Sequence, residues 1–413
     1  RFPSYIIEQI SKLFKSNIIT KIADLPSIYF CTTEKSAYYN FVQGYNKNDE
    51  YSASLRYYLE MNEDYSEKLA YLDKVNENVN LEIEDKDLSK KLFGDKLVVS
   101  ATRFEDFNKC HFCYFCKKGL GLYPPQRIEI NAMEQGNIIH KCMFDIFKSY
   151  DKENFVNETA ENLHAHVNKT LDTYYNEVLG GDFGKTARFH STYQKLVDTI
   201  MEVLFHLQEE FSQSEFVPTD FELKISENSE IKPTKLVSKS GMEISFIGTI
   251  DRVDTYVNNG KTYVRVVDYK SGEKSFRLED ILYGINMQML LYLFTITQGD
   301  GKYSMSEPAG VLYMPSKELE PELSRNSSDE DLTNSKDKSF KMNGILLDDE
   351  EVIRAMEKEV SGIYIPVKKA KDGYTKASSL ITKKQIGNLR KYAYNLLTEM
   401  ADKLYNGQID AIP

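Results

Sequence analysis

The sequence predicts an α/β fold that is preceded by a helical segment. Before about residue 92, apolar residues recur at helical spacing in short stretches. Between 242 and 270 the pattern changes to two runs rich in β-branched residues, and Asn258-Asn259-Gly260 separates them, which is a typical signal for a tight hairpin. Further helical stretches lie on either side of these runs, so we expect strands flanked by helices.

Length and composition exclude several classes of protein. A chain of 413 residues is long enough for two or three domains. Its most apolar stretch, MQMLLYLFTI, is interrupted by Gln288 and is far shorter than the roughly 18 residues of a membrane span. Five cysteines are an odd number, which fits a reducing compartment better than a disulfide framework. We therefore expect a cytoplasmic protein without a membrane segment.

The net charge of −11 is unusual for a protein that binds nucleic acid, because phosphates are neutralised by Lys and Arg. Most of this charge lies in two stretches, 48–90 with a net charge of −7 and 317–351 with −6. The remaining segments are close to neutral, so a local basic groove is still compatible with the sequence.

The change in composition near residue 95 predicts a domain boundary. Residues 1–94 are expected to be mainly helical, and residues 95–413 to form the α/β domain, with a mobile acidic insertion near 317–340. The chain begins Arg-Phe-Pro, which indicates a fragment of a longer protein.

The other predicted elements are a strand at 97–99, a helix after a cap at Ser100 or Thr102, a helix at 130–150, helical residues from 155 to 212, a helix at 278–297, a strand AGVLYMP, and helices near 350–361 and 383–406.

The central motif is Val266-Val267-Asp268-Tyr269-Lys270. Side chains at i and i+2 of a strand point to the same face, so Asp268 and Lys270 project together. Taken alone, this pattern is more often a surface ion pair on an edge strand.

A second carboxylate precedes this motif on the other strand of the hairpin. Gly248-Thr249-Ile250-Asp251 places an acid shortly after a residue without a side chain. Two converging carboxylates form the oxygen-rich kind of site that Mg²⁺ prefers. Such a metal polarises a phosphate and lowers the pKa of water, while a lysine offsets developing charge, so the pattern favours phosphodiester hydrolysis.

Four short motifs occur in a characteristic order along the chain. They are Gly136-x-x-x-His140, Gly248-x-x-Asp251, Asp268-x-Lys270 and Gln288-x-x-x-Tyr292. In this order the chain resembles the RecB-like branch of the PD-(D/E)XK nucleases. The resemblance implies a central mixed sheet flanked by helices and a metal-dependent deoxyribonuclease, most typically an exonuclease.

Within that branch, residues 95–413 resemble the nuclease domain of AddB- or RexB-type helicase–nuclease subunits. The resemblance rests on Ser100-x-x-Arg103-Phe104-Glu105, on Gly119-Leu120-Gly121-Leu122, on Asp251-Arg252-Val253-Asp254, and on Tyr283-Gly284 before Gln288. It implies that residues 1–94 end a helicase-like region. It also implies that the full-length protein processes double-strand DNA breaks for recombination repair with an AddA/RexA-type partner subunit.

The resemblance further implies roles for single residues. His140, Asp251, Asp268 and the backbone carbonyl of Tyr269 would hold Mg²⁺, with Mn²⁺ as an alternative; Asp251, Asp268 and Lys270 would be catalytic, and Gln288 and Tyr292 would contact DNA. Asp254 is an alternative to Asp251. The Gly-x-x-Asp spacing favours Asp251, and Asp254 is then expected to form a salt bridge, for example with Arg252.

The cysteines depart from the family pattern. AddB-type nucleases carry a 4Fe–4S cluster held by one cysteine before the core and three after it, and Cys110 matches the first position. The chain stops at Pro413 before the other three, so we expect the cluster only in the full-length protein. Cys110-x-x-Cys113-x-x-Cys116 has a metal-ligand spacing, but we favour ordinary thiols because no fourth ligand is evident.

Two other functions remain open at this point. The motifs also fit a stand-alone exonuclease of the kind associated with CRISPR adaptation, although the helical region before residue 95 argues against it. The domain could also be a catalytically inactive DNA-binding scaffold, but every expected side chain is present.

Overall fold

The computed structural model describes residues 5–14, 25–45, 47, 49–76, 81–124, 132–177, 187–270, 276–316, 339–375 and 377–411. All but the last two residues of the predicted acidic insertion at 317–340 lie outside these ranges.

The chain forms two compact units, Arg1–Val79 and Asn80–Pro413. The first unit contains the helices α1 (Tyr5–Lys12), α2 (Glu34–Gln43), α3 (Glu50–Glu60) and α4 (Glu63–Asp73). Its small apolar core consists of buried side chains from α2, α3 and α4, namely Ala37, Phe41, Leu55, Leu59 and Leu69.

The division between the units comes earlier in the chain than the boundary predicted at residue 95. Helix α5 (Lys86–Phe93) belongs to the second unit. The hydroxyl of Ser89 donates a hydrogen bond to the carbonyl of Leu404, and the amide of Ile83 donates to the carbonyl of Gly407. The segment before residue 95 is therefore tied to the C-terminal part of the second unit.

Several of the remaining helices pack against the sheet of the second unit. None of the helices that the structure describes has both the length and the apolar character needed to cross a membrane. Their bounds are α6 (Ala101–Lys109), α7 (His111–Tyr114), α8 (Ala132–Ser149), α9 (Lys152–Val156), α10 (Ala160–Glu177), α11 (Ala187–Gln213), α12 (Leu278–Ile281), α13 (Gln288–Gln298), α14 (Glu350–Met356) and α15 (Lys383–Tyr405).

The strands form one mixed sheet and a separate small hairpin. They are β1 (Lys96–Ser100), β2 (Val217–Ile225), β3 (Thr234–Val237), β4 (Glu243–Asn258), β5 (Lys261–Lys270), β6 (Glu307–Pro315), β7 (Asn343–Leu347), β8 (Lys368–Ala370), β9 (Gly373–Thr375) and β10 (Leu380–Ile381).

Strand β4 organises the sheet. The order is β1-β4-β5-β6-β7-β10, and β2 and β3 also pair with β4, while β8 and β9 pair with each other. The pairs of β1 with β4, β5 with β6 and β7 with β10 are parallel, whereas β2, β3 and β5 are antiparallel to β4, and β7 is antiparallel to β6. The expected mixed sheet flanked by helices is thus confirmed.

The hairpin that joins β4 to β5 is the one predicted from the sequence. Asn258 pairs with Lys261, and the two central residues both have positive φ, 51° at Asn259 and 73° at Gly260. Positive φ at both positions is the requirement of a type I′ turn, which Asn-Gly meets at low cost. The turn fixes the register of the two strands that carry Asp251 and Asp268.

The single helix predicted from about Leu278 to Thr297 is wrong. The chain forms α12, then an irregular stretch, then α13, because Gly284 has a φ of 70° and Asn286 a φ of 59°. Left-handed residues cannot continue an α-helix. A Cβ atom at position 284 would also lie only 2.5 Å from the side-chain amide nitrogen of Asn108.

Candidate metal centre

Asp251 and Asp268 are neighbours across the hairpin. Arg252 pairs with Val267 in the antiparallel register of β4 and β5, so the preceding Asp251 comes opposite the following Asp268. The Oδ2 atom of Asp251 accepts a hydrogen bond of 2.9 Å from the backbone amide of Tyr269. This hydrogen bond fixes the carboxylate of Asp251 at the end of the hairpin that lies opposite the turn.

A third carboxylate, that of Glu222, reaches the same place from β2. Leu223 pairs with Ile250, so Glu222 lies opposite Asp251 on the other side of β4. Glu222 has a φ of 50°, which is uncommon for a residue with a side chain and occurs most often where the surroundings impose it. No sequence motif pointed to this residue, whose only signal is an acid within the strand DFELKI.

Helix α8 adds the imidazole of His140. Its Nδ1 atom lies 3.4 Å from Oδ2 of Asp251 and 3.8 Å from Oε1 of Glu222. Its Nε2 atom donates to the backbone carbonyl of Tyr269 at 2.9 Å. His140 therefore contacts two of the groups predicted with it, Asp251 through Nδ1 and the Tyr269 carbonyl through Nε2.

His140, Glu222 and Asp251 form a potential metal site. One ligand atom of each lies within 4.8 Å of the others, and within the part of the chain that the structure describes this is the one group of its kind. Burial alone would lower the pKa of His140, but hydrogen bonds to Asp251 and Glu222 outweigh burial and raise the pKa to about 10. The imidazole is therefore protonated at neutral pH and held between two carboxylates.

Asp268 lies beside this group rather than inside it. Its Oδ2 atom is 2.5 Å from Nζ of Lys270, and the carboxylate is almost completely buried. Burial and the charge of Asp251 raise the pKa of Asp268 to about 7, against the opposing effect of Lys270. The pair of carboxylate and ammonium expected from Asp-x-Lys is confirmed, but the structure joins Asp251 to Glu222 and His140 more closely than to Asp268.

Behind the site, a buried network of charges holds the side chain of Tyr269. The guanidinium of Arg252 donates to the Tyr269 hydroxyl at 3.2 Å and to both Asp254 and Glu210. Arg265 bridges the same two acids, with Nε 2.7 Å from Asp254 and Nη2 2.5 Å from Glu210. The expected salt bridge of Asp254 with Arg252 is confirmed, and it belongs to a larger network that is closed to solvent.

Gln288 and Tyr292 lie on one face of α13, as their spacing indicated, and Nε2 of Gln288 donates to the Tyr292 hydroxyl at 3.4 Å. The ring of Tyr292 is buried, however, and packs against Gly248. A Cβ atom at Gly248 would come within 2.5 Å of this ring. The ring of Tyr292 fills the space that a side chain at position 248 would need, which explains the glycine there. In this conformation the ring faces β4.

The region that contains the site matches a known protein family. Residues 98–413 match the family description "PD-(D/E)XK nuclease superfamily". This chain belongs to that superfamily. The matched segment of this superfamily member contains β2, β4, β5 and α8, the four elements that form the site.

Relatives of this nuclease-superfamily chain include the B subunits of bacterial ATP-dependent helicase/deoxyribonucleases. The one from Clostridium kluyveri is 28% identical over 432 residues, which cover 100% of this chain and 38% of the relative. The one from Thermoanaerobacter pseudethanolicus is 29% identical over 78% of this chain and 29% of its own length. The one from Caldanaerobacter subterraneus is 31% identical over 78% and 28%. The predicted resemblance to AddB-type subunits is confirmed. This chain spans less than two fifths of the length of those relatives.

No cysteine among the described residues of this PD-(D/E)XK chain belongs to the potential metal group. Cys110 caps α7, and its Sγ atom accepts a hydrogen bond from the amide of Cys113 at 3.4 Å. Among the described residues, Cys110, Cys113 and Cys116 do not bring their sulfur atoms together as a metal group. His111, next to Cys110, contacts Asp410 at 2.8 Å.

Proposed function

We propose that this chain hydrolyses DNA as the Mg²⁺-dependent exonuclease portion of a helicase–nuclease subunit. The observation that carries the proposal is the meeting of His140, Asp251 and Glu222 beside the Asp268–Lys270 pair. A cluster of carboxylates that can hold a cation, next to a lysine, provides groups that can stabilise the transition state of phosphodiester hydrolysis.

The donor atoms present fit a divalent cation. Carboxylate oxygens of Asp251 and Glu222 and an imidazole nitrogen of His140 would hold it. The carbonyl of Tyr269, which accepts a hydrogen bond from Nε2 of His140 in the metal-free protein, would become a ligand once that proton is lost, and Asp268 once it is deprotonated. Oxygen-rich sites suit Mg²⁺ or Mn²⁺. When bound, the ion polarises a phosphate and makes water more acidic.

Lys270 supplies the positive charge of the reaction. Its ammonium is about one quarter exposed and is held by Asp268 at the edge of the site. In that position it offsets the negative charge that develops on the phosphate oxygens.

The wider assignment follows the similarity to the B subunits of helicase/deoxyribonucleases. We assign to the full-length protein a role in recombination repair of double-strand breaks, an AddA/RexA-type partner subunit and a cytoplasmic location. A 4Fe–4S cluster with Cys110 as one ligand belongs to this proposal for the full-length protein only. The contacts of His111 and of the Phe112 amide with Asp410 are compatible with it, because they place the segment after α15 beside Cys110.

A nuclease assay tests the proposal. With Mg²⁺, the chain is expected to degrade end-labelled linear DNA, and EDTA to stop the reaction. Asp268→Ala is expected to lower the rate by more than about 10- to 100-fold, the range typical of residues that only orient metal ligands, because Asp268 would hold the ion itself. The rate of release of labelled nucleotides measures both effects.

Asp372→Ala is a matched control, since Asp372 is an exposed aspartate in the turn between β8 and β9. It is expected to leave the rate unchanged. The proposal fails if purified full-length protein with its partner subunit degrades no DNA, or if Asp268→Ala is as active as Asp372→Ala.

Metal binding is expected to release protons. In the metal-free protein His140 has a pKa of about 10 and Asp268 a pKa of about 7, while a metal ligand must be deprotonated. The affinity for Mn²⁺ should therefore rise with pH between about 6 and 9. Calorimetric titrations at about pH 7.5 in two buffers of different ionisation enthalpy should give on the order of one proton per ion.

His140→Gln provides the comparison, because a glutamine has no proton to lose in this range. The variant should release markedly fewer protons and bind with a weaker dependence on pH. Binding by the unaltered protein that is independent of both buffer and pH would contradict the assignment of His140 as a ligand.

A further inference from the structure

One stripe of side chains on α8 leads away from the metal centre and has no role in the core. Asn137, Lys141, Phe144 and Lys148 follow each other at intervals of four, three and four residues, so they lie on one face of the helix. The stripe extends for roughly 16 Å along the helix axis. It begins one turn before His140.

Phe144 differs from the other large apolar side chains of this helix whose burial the structure describes. Ile138, Ile139, Met143 and Ile146 are buried in the core, whereas Phe144 is only partly buried. The ring borders a cleft of about 370 Å³. The cleft is lined by Asn137, His140, Lys141, Phe144, Glu222 and Asp251.

Two lysines flank the aromatic ring. The Nζ atoms of Lys141 and Lys148 lie 5.5 Å and 5.8 Å from the centre of the Phe144 ring. Lys141 also forms an exposed i,i+4 ion pair with Asp145 at 2.9 Å. Such exposed pairs contribute little energy, so a phosphate can replace the carboxylate of Asp145.

An aromatic ring between cations is the arrangement by which proteins hold single nucleic-acid strands without reading their sequence. A base stacks on the ring while the neighbouring phosphates contact the cations. Here the acids of the metal centre repel phosphate, so a strand that reaches them needs positive charge nearby. Lys141 and Lys148 supply that charge on the path to His140.

We infer that Phe144, Lys141 and Lys148 form a binding subsite for the DNA strand next to the metal centre. A base stacks on Phe144, and the flanking phosphates lie against Lys141 and Lys148. The inference rests on the proposed nuclease function and adds the residues that guide the strand into the cleft.

Binding of a fluorescent thymidine oligonucleotide tests the subsite, measured by anisotropy with Mg²⁺ in a Lys270→Met background to prevent degradation. Phe144→Leu keeps an apolar side chain but removes the aromatic face. It is expected to weaken binding roughly 5- to 100-fold, the effect of losing one stacked base. Phe144→Trp should restore binding.

Two comparisons separate stacking from packing. An abasic oligonucleotide of equal length has nothing to stack, so Phe144→Leu should change its binding less than about twofold. Phe205→Leu alters a phenylalanine of α11 that is also accessible to solvent, and it should leave binding of both oligonucleotides as in the unaltered protein. Equal losses on the two oligonucleotides, or no loss on either, overturn the subsite.

The dependence of oligonucleotide affinity on salt concentration tests the role of the two lysines. Each phosphate contact contributes about 0.7 to the slope of log affinity against log salt for a single strand. Lys141→Gln and Lys148→Gln should each lower that slope by about this amount, whereas Lys195→Gln, an exposed lysine of α11, should not. A slope that is the same in all variants overturns the role of the lysines.

Failure of the subsite can be told from failure of the proposed function. If the protein degrades DNA but Phe144→Leu binds oligonucleotides normally, the subsite is overturned and the nuclease stands. If the protein degrades no DNA, the proposed function is overturned, and the binding measurements still decide whether Phe144 holds a strand.

Discussion

Lys270→Met is expected to lower the rate of DNA hydrolysis about 100- to 1,000-fold, the cost of removing one group that stabilises charge in a transition state. Because Lys270 contacts Asp268 and is not among the potential metal ligands, the affinity for Mn²⁺ should change far less than the rate. Asp251→Asn should lower both the rate of hydrolysis and the affinity for Mn²⁺, since Asp251 contacts His140 and the Tyr269 amide. Rates with saturating metal, together with calorimetric metal titrations, separate the two effects.

The matched control for this pair of variants is Lys261→Met. Lys261 begins β5 and Lys270 ends it, so both changes remove a lysine from the same strand. Lys261 is exposed at the far end of the hairpin and its loss should leave the rate unchanged. The division of roles is wrong if Lys270→Met abolishes metal binding, or if Lys261→Met is equally inactive.

Glu210→Ala is expected to lower the free energy of unfolding by about 3–5 kcal/mol, the usual cost of breaking a buried ion pair by removing one partner. Glu210 contacts both Arg252 and Arg265, and all three side chains are completely buried. Although burial alone would raise it, these two arginines hold the pKa of Glu210 below its ordinary value. Without Glu210, two buried guanidinium groups share the single carboxylate of Asp254. Urea unfolding followed by circular dichroism measures the change.

Glu209→Ala is the comparison, because Glu209 is the preceding residue of α11 and is exposed. Surface substitutions of this kind usually change stability by less than about 0.5 kcal/mol. If Glu210→Ala and Glu209→Ala unfold at the same urea concentration, the buried network does not stabilise the fold as described. Glu210→Ala should also weaken metal binding, since Arg252 holds the Tyr269 side chain.

The sequence predicted the parts of the site that depend on local geometry. The type I′ turn at Asn259-Gly260 sets the register of β4 and β5, and that register brings Asp251 opposite Asp268. Strand alternation likewise placed Asp268 and Lys270 together. Each of these contacts depends on residues of a single hairpin, and for this reason a pattern in the sequence was sufficient.

Contacts between distant segments could not be predicted in this way. Glu222 joins His140 and Asp251 through the pairing of β2 with β4 and through a left-handed backbone angle that no propensity of glutamate favours. Glu210 lies 42 residues from Arg252, and only the packing of α11 on the sheet brings them together. The break between α12 and α13 was missed because helical periodicity continues through Gly284.

The hairpin also has a consequence for the order in which the site assembles during folding. Tyr269 and Asp251 are 18 residues apart, and a loop of that length closes quickly, whereas His140 is 129 residues from its contact on Tyr269. We expect the carboxylates of β4 and β5 to be in place as soon as the Asn-Gly turn closes. The imidazole then arrives last, when α8 docks, so the capacity to hold a metal tightly appears only after the long-range structure of the domain is complete.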